Sequence, residues 1–247
     1  MSSGRRKAAQ RFPAPRGSLH DNMKTARLPN QIKIIIIDDH RMFREQLASL
    51  INQSDDMNVC AEADNVRDGF ELINGIRPSI AIVDISLKGA SGLELVKQLR
   101  SQAIDTPVLV LSMHEESLYA ERALRAGANG YITKHEASAD LMNAIRRVLD
   151  GEMYLNPRFM GRMMSKIMAG AADRSNADPV DRLADRELEV FRLIGQGFTT
   201  REIGERLGLG ATTVDTYRAR IKEKLNLENV SRLRLEASRW VQESESR

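Results

Sequence analysis

Between residues 31 and 151 five short apolar runs, at 33–38, 57–63, 79–84, 107–112 and 129–133, are separated by stretches in which apolar side chains recur every three to four residues. No other feature of the chain restricts its fold as strongly. Apolar runs of this length without a helical period are strands buried on both faces, as in a parallel sheet covered by helices. The intervening stretches, Arg41–Gln53, Asn65–Gly75, Gly92–Arg100, Glu116–Ala126 and Glu136–Asp150, carry the spacing of amphipathic helices. Five βα units predict an α/β fold with a doubly wound five-stranded parallel sheet, right-handed crossovers and a ligand rim at the carboxyl ends of the strands.

The rim residues share one chemistry. Strand one ends in Asp38 and Asp39, strand three (IAIVDIS) in Asp84, strand four in Ser112, and strand five reaches Thr133 and Lys134. In the flavodoxin-like strand order 2-1-3-4-5, strand three lies between strands one and four. Asp84 then has acids on one side and a hydroxyl and an ammonium on the other. Each residue taken singly would pass as a helix cap or a solvated strand end. Three acids at neighbouring strand ends repel one another unless a cation sits among them.

The chemistry that fits is phosphoryl transfer to a carboxylate, with Asp84 as nucleophile. Asp38 and Asp39 would hold Mg²⁺, a hard ion that takes oxygen ligands, and the Ser86 carbonyl is a plausible further ligand. Lys134 and the ion would neutralise charge on the phosphoryl oxygens, and the Ser112 hydroxyl would hydrogen-bond one of them.

These residues carry a resemblance. The acid pair at 38–39 followed by HRMFREQL, Asp84 within VDISL, Gly92, LVLSMHEE with Ser112, and GYITK with Lys134 make residues 32–151 resemble the receiver domain of two-component response regulators. The resemblance implies phosphorylation of Asp84 by a partner histidine kinase, and an inward movement of Ser112 together with an aromatic residue on strand five, here Tyr131. Two positions where the family often has proline hold Lys88 and His135. Neither departure removes a catalytic group.

The last 65 residues, 183–247, read as a small all-α domain. Helical spacing covers Arg186–Gln196, a helix capped by Thr199 or Thr200 runs to Leu207, and after Gly208-Leu209-Gly210 come Ala211–Leu225 and Val230 to about Gln242. Two short helices split by a glycine-containing turn form a helix-turn-helix, whose second helix enters the DNA major groove. The stretch LADRELEVFRLIGQGFTTREIGERLGLGATTVDTYRARIKEKLNL is similar to the DNA-binding domain of the LuxR/FixJ family. That likeness implies recognition of double-stranded DNA by exposed residues of the second helix: Thr212, Thr213, Asp215, Thr216, Arg218, Ala219, Lys222 and Lys224. It also implies a DNA-bound homodimer joined through the last helix. Val214, Tyr217, Ile221 and Leu225 would form the core face of the recognition helix. Ala184 stands where the family usually has a capping threonine, and Asp185 is expected to take over the cap.

Charge is uneven along the chain. Residues 1–31 carry seven Lys/Arg and one acid, residues 32–150 have a net −5, and 151–182 and 183–247 are each +1. The basic balance therefore comes from residues 1–31, expected to be a disordered basic tail, and does not by itself argue for nucleic acid. A flexible linker is expected at 169–182, after a Met-rich piece (Met160, Met163, Met164, Met168) that reads as a short packed helix. One cysteine, Cys60, excludes an internal disulfide. No apolar run approaches the roughly 18 residues of a membrane helix, so no membrane partner and a cytoplasmic location are expected.

The expected function is a DNA-binding transcription regulator switched by phosphorylation, not an enzyme. Two alternatives stand beside it. An Asp-based phosphatase would need an acid two residues after the nucleophile, where Ser86 stands. A protein-interaction switch that no longer binds DNA is allowed by the modest charge of the last domain.

Overall fold

The computed structural model describes residues 31–113, 117–157, 159–161 and 179–245. Residues 1–30 of the expected basic tail (1–31) and most of the Met-rich helix and linker lie outside these residues. Strands β1 (Ile32–Ile37), β2 (Met57–Ala63), β3 (Ile80–Asp84), β6 (Val108–Ser112) and β7 (Gly130–Thr133) form one parallel sheet in the order β2-β1-β3-β6-β7. A two-residue hairpin, β4 (Ser86–Leu87) and β5 (Ala90–Ser91), follows β3 directly. With the hairpin set aside, the strand order is the 2-1-3-4-5 expected from the alternating pattern.

The sheet is buried on both faces because successive side chains alternate across it. Ile34, Ile36, Ile82, Leu109 and Leu111 pack towards α1 (Arg41–Ile51) and α5 (Lys134–Leu149). Ile35, Ile37, Val83, Val108 and Val110 pack towards α2 (Val66–Ile76), α3 (Gly92–Ser101) and α4 (Ser117–Ala126). All ten are fully buried, which is why these runs show no polar alternation in the sequence.

Caps set the helix starts. The Asn65 side chain accepts from the Asp68 amide at 2.9 Å, and Ser91 Oγ from the Leu93 amide at 3.3 Å. At α5, Thr133 Oγ1 accepts from the Glu136 amide while the Glu136 carboxylate accepts from the Thr133 amide, each at 3.1 Å. This reciprocal cap starts the helix at Lys134, two residues earlier than its apolar spacing predicts. Lys134 is thereby held at the junction of β7 and α5. Gly92 serves a different need: a Cβ there would lie 1.9 Å from the Asp84 carbonyl oxygen, so only glycine lets α3 begin against the end of β3.

The C-terminal helices are α6 (Asp185–Gly195), α7 (Thr200–Leu207), α8 (Ala211–Lys224) and α9 (Val230–Glu245). Thr199 caps α7 through a reciprocal bond with Glu202, and Gly208 ends it at φ 63°. Leu188, Phe191, Ile203, Val214, Ile221, Leu233 and Ala237 fill the core, and the Phe191 and Trp240 rings lie 5.9 Å apart. On α8, Val214 and Ile221 are buried while Tyr217 and Leu225 are half-buried.

Two expectations are corrected here. Residues 179–182 are not flexible linker but a 3₁₀ turn, with Val180 buried. Asp185 does not take over the cap of α6: Ala184 is the cap residue without a side-chain bond, and the Glu187 carboxylate accepts from its amide at 2.7 Å. The Asp185 carboxylate points instead at the sheet domain.

Candidate functional site

The carboxyl ends of β1, β3, β6 and β7 bring the predicted residues together. Asp38, Asp84, Ser112 and Lys134 are all buried, and Asp39 lies beside Asp38 with a side chain only 7% exposed. Lys134 Nζ bridges Asp38 Oδ2 and Asp84 Oδ2, both at 2.7 Å, and sits 4.7 Å from the centre of the Phe43 ring. The His40 amide donates to Asp38 Oδ1 at 2.8 Å, and His40 Nδ1 lies 2.8 Å from Asp39 Oδ1. Tyr131 is buried on β7.

One ammonium cannot balance three carboxylates. Burial pushes the Asp84 carboxyl up, to about 7, and Asp38 adds to that push while Lys134 opposes it. Burial works to lower the Lys134 pKa, but the Asp84 and Asp38 carboxylates outweigh it and leave it raised. Among the described residues Asp84 Oδ1 is buried with no hydrogen-bond partner, an unfavourable state for a carboxylate oxygen. Ligand atoms of Asp38, Asp39, His40 and Asp84 lie within 4.8 Å of one another. A small cluster of hard oxygen donors with an unsatisfied buried carboxylate fits a divalent cation of the Mg²⁺ type.

A second set of residues, unmarked by the sequence pattern, joins this pocket to the C-terminal domain. Ser86 Oγ donates to Glu189 Oε1 at 3.0 Å. Arg186 donates to the carbonyls of Leu87 at 3.2 Å and Leu207 at 2.7 Å, and pairs with Glu189. The Gly89 amide donates to the Leu207 carbonyl at 3.0 Å. Further along the interface, Asp185 pairs with Lys97 of α3 at 2.6 Å and with Arg122 of α4 at 3.1 Å. Arg122 also donates to the carbonyls of Leu183 at 2.6 Å and Val180 at 3.1 Å. Burial raises the Glu189 carboxyl above its ordinary range, against the pull of Arg186. In the sequence these charges looked like ordinary helix-surface residues. Only the packing of α6 against the 86–91 hairpin and α4 makes them interior.

The residues expected to read DNA are spread along α8. Thr212, Thr213, Asp215, Thr216 and Ala219 are exposed, and Arg218 and Lys222 are half-buried. Arg218 donates to Thr200 Oγ1 at 2.6 Å and pairs with Asp215 at 3.2 Å, so its guanidinium is engaged within the domain. Lys224 Nζ pairs with Glu187 at 2.6 Å. Lys222 and Arg220 have no ion pair among the described residues. Contacts with the sheet domain come from residues 180–183, α6 and the end of α7. No helix among the described residues is long and apolar enough to cross a membrane.

Comparison with known proteins covers both halves. Residues 34–146 match the family described as response regulator receiver domain, and residues 181–237 that described as bacterial regulatory proteins, luxR family. The oxygen regulatory protein NreC of Staphylococcus carnosus is 32% identical over 201 residues, which span 80% of this chain and 93% of that protein. The response regulator GacA of Pseudomonas aeruginosa is 30% identical over 208 residues, 84% of this chain and 96% of that protein. Among solved structures, a LuxR-family two-component response regulator from Aurantimonas sp. SI85-9A1 superposes with TM-score 0.53 at 30% identity, covering 56% of this chain and 99% of that one. RcsB of Salmonella enterica serovar Typhimurium, bound to promoter P1flhDC with the phosphomimetic BeF3⁻, gives 0.53 at 25% identity over 83% of this chain and 98% of its own.

Proposed function

From the premise that this chain belongs to the LuxR-type response regulators, DNA-binding regulators that join a receiver to a helix-turn-helix domain, we propose that Asp84 is its phosphoacceptor and α8 its DNA-reading helix. The observation that carries the first assignment is the pocket at the strand ends, where Asp84 is buried between Asp38 and Lys134 with one carboxylate oxygen unpartnered. In the reaction a carboxylate oxygen of Asp84 attacks the phosphorus carried by the kinase's histidine. The bond from phosphorus to the imidazole nitrogen breaks, and an acyl phosphate remains on the receiver.

Asp38, Asp39, Asp84 and the Ser86 carbonyl would hold Mg²⁺, which screens the carboxylates and the phosphoryl oxygens from one another. Lys134 neutralises the remaining charge, and the Ser112 hydroxyl and the Tyr131 ring respond to the new group. Movement at the end of β6 reaches α4, whose Arg122 holds Asp185 of the DNA-binding domain. The phosphoryl group thus biases the docked arrangement against a released one that pairs on DNA as a homodimer.

α8 supports DNA binding through its exposed polar face and the basic residues Lys222 and Arg220, which make no ion pair among the described residues. Acetyl phosphate with Mg²⁺ is expected to label the wild-type protein and not Asp84→Asn; equal labelling of the two would sink the acceptor assignment.

A further inference from the structure

The tight hairpin after Asp84 gives its polar groups to the DNA-binding domain. The Ile85 carbonyl is held from within the receiver by the Gly92 amide at 2.7 Å. The next groups along are held from outside: the Ser86 hydroxyl by Glu189, the Leu87 carbonyl by Arg186, and the Gly89 amide by the carbonyl of Leu207. Arg186 and Glu189 are only 3% and 2% exposed, although both belong to a helix that could face the receiver with apolar side chains. A buried ion pair contributes little net stability compared with an apolar substitute. This pair meets the segment that carries the proposed Ser86 carbonyl ligand, since Glu189 holds the hydroxyl of the same residue.

We propose that Glu189 and Arg186 are positioning residues of the phosphorylation site, fixing residues 85–87 so that the Ser86 carbonyl is presented to the divalent cation. Cation binding and phosphoryl acceptance at Asp84 then depend on whether the DNA-binding domain is docked. The inference rests on the reading of the acid pocket as a cation site. It adds a second arm to the switch, opposite in sign to the first: docking favours the cation and, by linkage, the cation favours docking, whereas the phosphoryl group favours release.

The test is a calorimetric titration of the full-length protein with Mg²⁺ alone, alongside the initial rate of labelling by acetyl phosphate. Removal of an outer partner that orients a metal ligand weakens metal binding by about tenfold or more. Glu189→Ala is expected to weaken Mg²⁺ by about that factor and to slow labelling in step. Ser86→Ala, which keeps the carbonyl and removes only the hydroxyl, is expected to act in the same direction. The double variant is expected to be no worse than the weaker single one, because both changes break the same contact. Glu189→Gln keeps an oxygen that accepts from Ser86 and is expected to restore most of the affinity. Asp185→Ala undocks the domain through the distant Lys97–Arg122 anchor and is expected to weaken Mg²⁺ without touching the hairpin.

Mg²⁺ affinity within twofold of wild type in both Ser86→Ala and Glu189→Ala overturns the inference. If Glu189→Ala does not fold, as circular dichroism would reveal, Ser86→Ala and Asp185→Ala decide the question. Asp38→Asn separates the two levels of the argument. Loss of Mg²⁺ binding in Asp38→Asn beside unchanged binding in the other variants removes only the positioning role. Unchanged binding in Asp38→Asn removes the cation site itself.

Discussion

The acid pocket of the receiver and the exposed face of α8 are both rich in charge, yet they obey different physics. In the pocket, Asp38, Asp84 and Lys134 are removed from water, so each charge is defined by its neighbours and every partner matters. On α8, Thr212, Asp215 and Arg220 face solvent, where water and salt screen each charge. The pocket therefore stores its function in geometry, and the helix in its composition along one face. Equal substitutions in the two regions should have very unequal effects.

The largest effect is expected at Lys134. Lys134→Met leaves two buried carboxylates without their shared ammonium, a loss of about 3–5 kcal/mol for a broken buried pair. Urea unfolding at pH 8 without Mg²⁺ measures it. Added Mg²⁺ should recover part of the loss, and a loss below 1 kcal/mol, roughly that of an exposed pair, would erase the contrast between the regions.

Next comes the pH response of the pocket. The Asp84 carboxyl moves from 3.8 to about 7 on folding without metal. A raised folded pKa favours the protonated form in the fold, so this contribution is fully present below about pH 4 and is lost as pH rises through about 7. Metal-free unfolding free energy should fall across that window, by an amount on the order of a few kcal/mol. Asp84→Asn and saturating Mg²⁺ should each flatten the slope. A wild type as flat as Asp84→Asn would contradict the burial argument.

Gly92→Ala should follow. Its Cβ would meet the Asp84 carbonyl oxygen at 1.9 Å, so the β3–α3 junction must shift. Overpacking of this kind costs about 1–3 kcal/mol, and labelling by acetyl phosphate should slow because Asp84 moves with its strand end.

The smallest effect is expected on α8. Lys222→Ala should weaken DNA binding about equally across sequences and reduce the salt slope by about 1, the signature of one lost phosphate contact, with little change in thermal stability. A salt slope identical to wild type would remove Lys222 from the interface.

How much of this was legible beforehand differs between the two regions and the seam joining them. The pocket was legible residue by residue, because a doubly wound sheet must deliver the ends of β1, β3, β6 and β7 to one rim. The limits of α8 were legible from Gly208, Gly210 and its apolar spacing. The engagement of Arg218 with Thr200, and of Lys224 with Glu187, was not. Those pairs depend on the crossing of α8 over α6 and α7, which periodicity does not specify. The seam is illegible altogether: the chain pattern places Asp185 at a helix cap, and nothing in it distinguishes Glu189 and Arg186 from surface charges.

The sequence by itself determined the strand order, the rim and the identity of its acids, since apolar runs alternating with amphipathic helices admit few chain paths and each path leads to the same edge. It also determined a helix-turn-helix at the C-terminal end. The tertiary structure alone decided which charges are interior. Burial of Glu189, Arg186 and Asp185 arises from two surfaces meeting, and contacts between residues about a hundred positions apart leave no period in the chain. The same packing ties the Ser86 hydroxyl to Glu189 across 103 residues, joining the hairpin beside the acid pocket to the C-terminal domain.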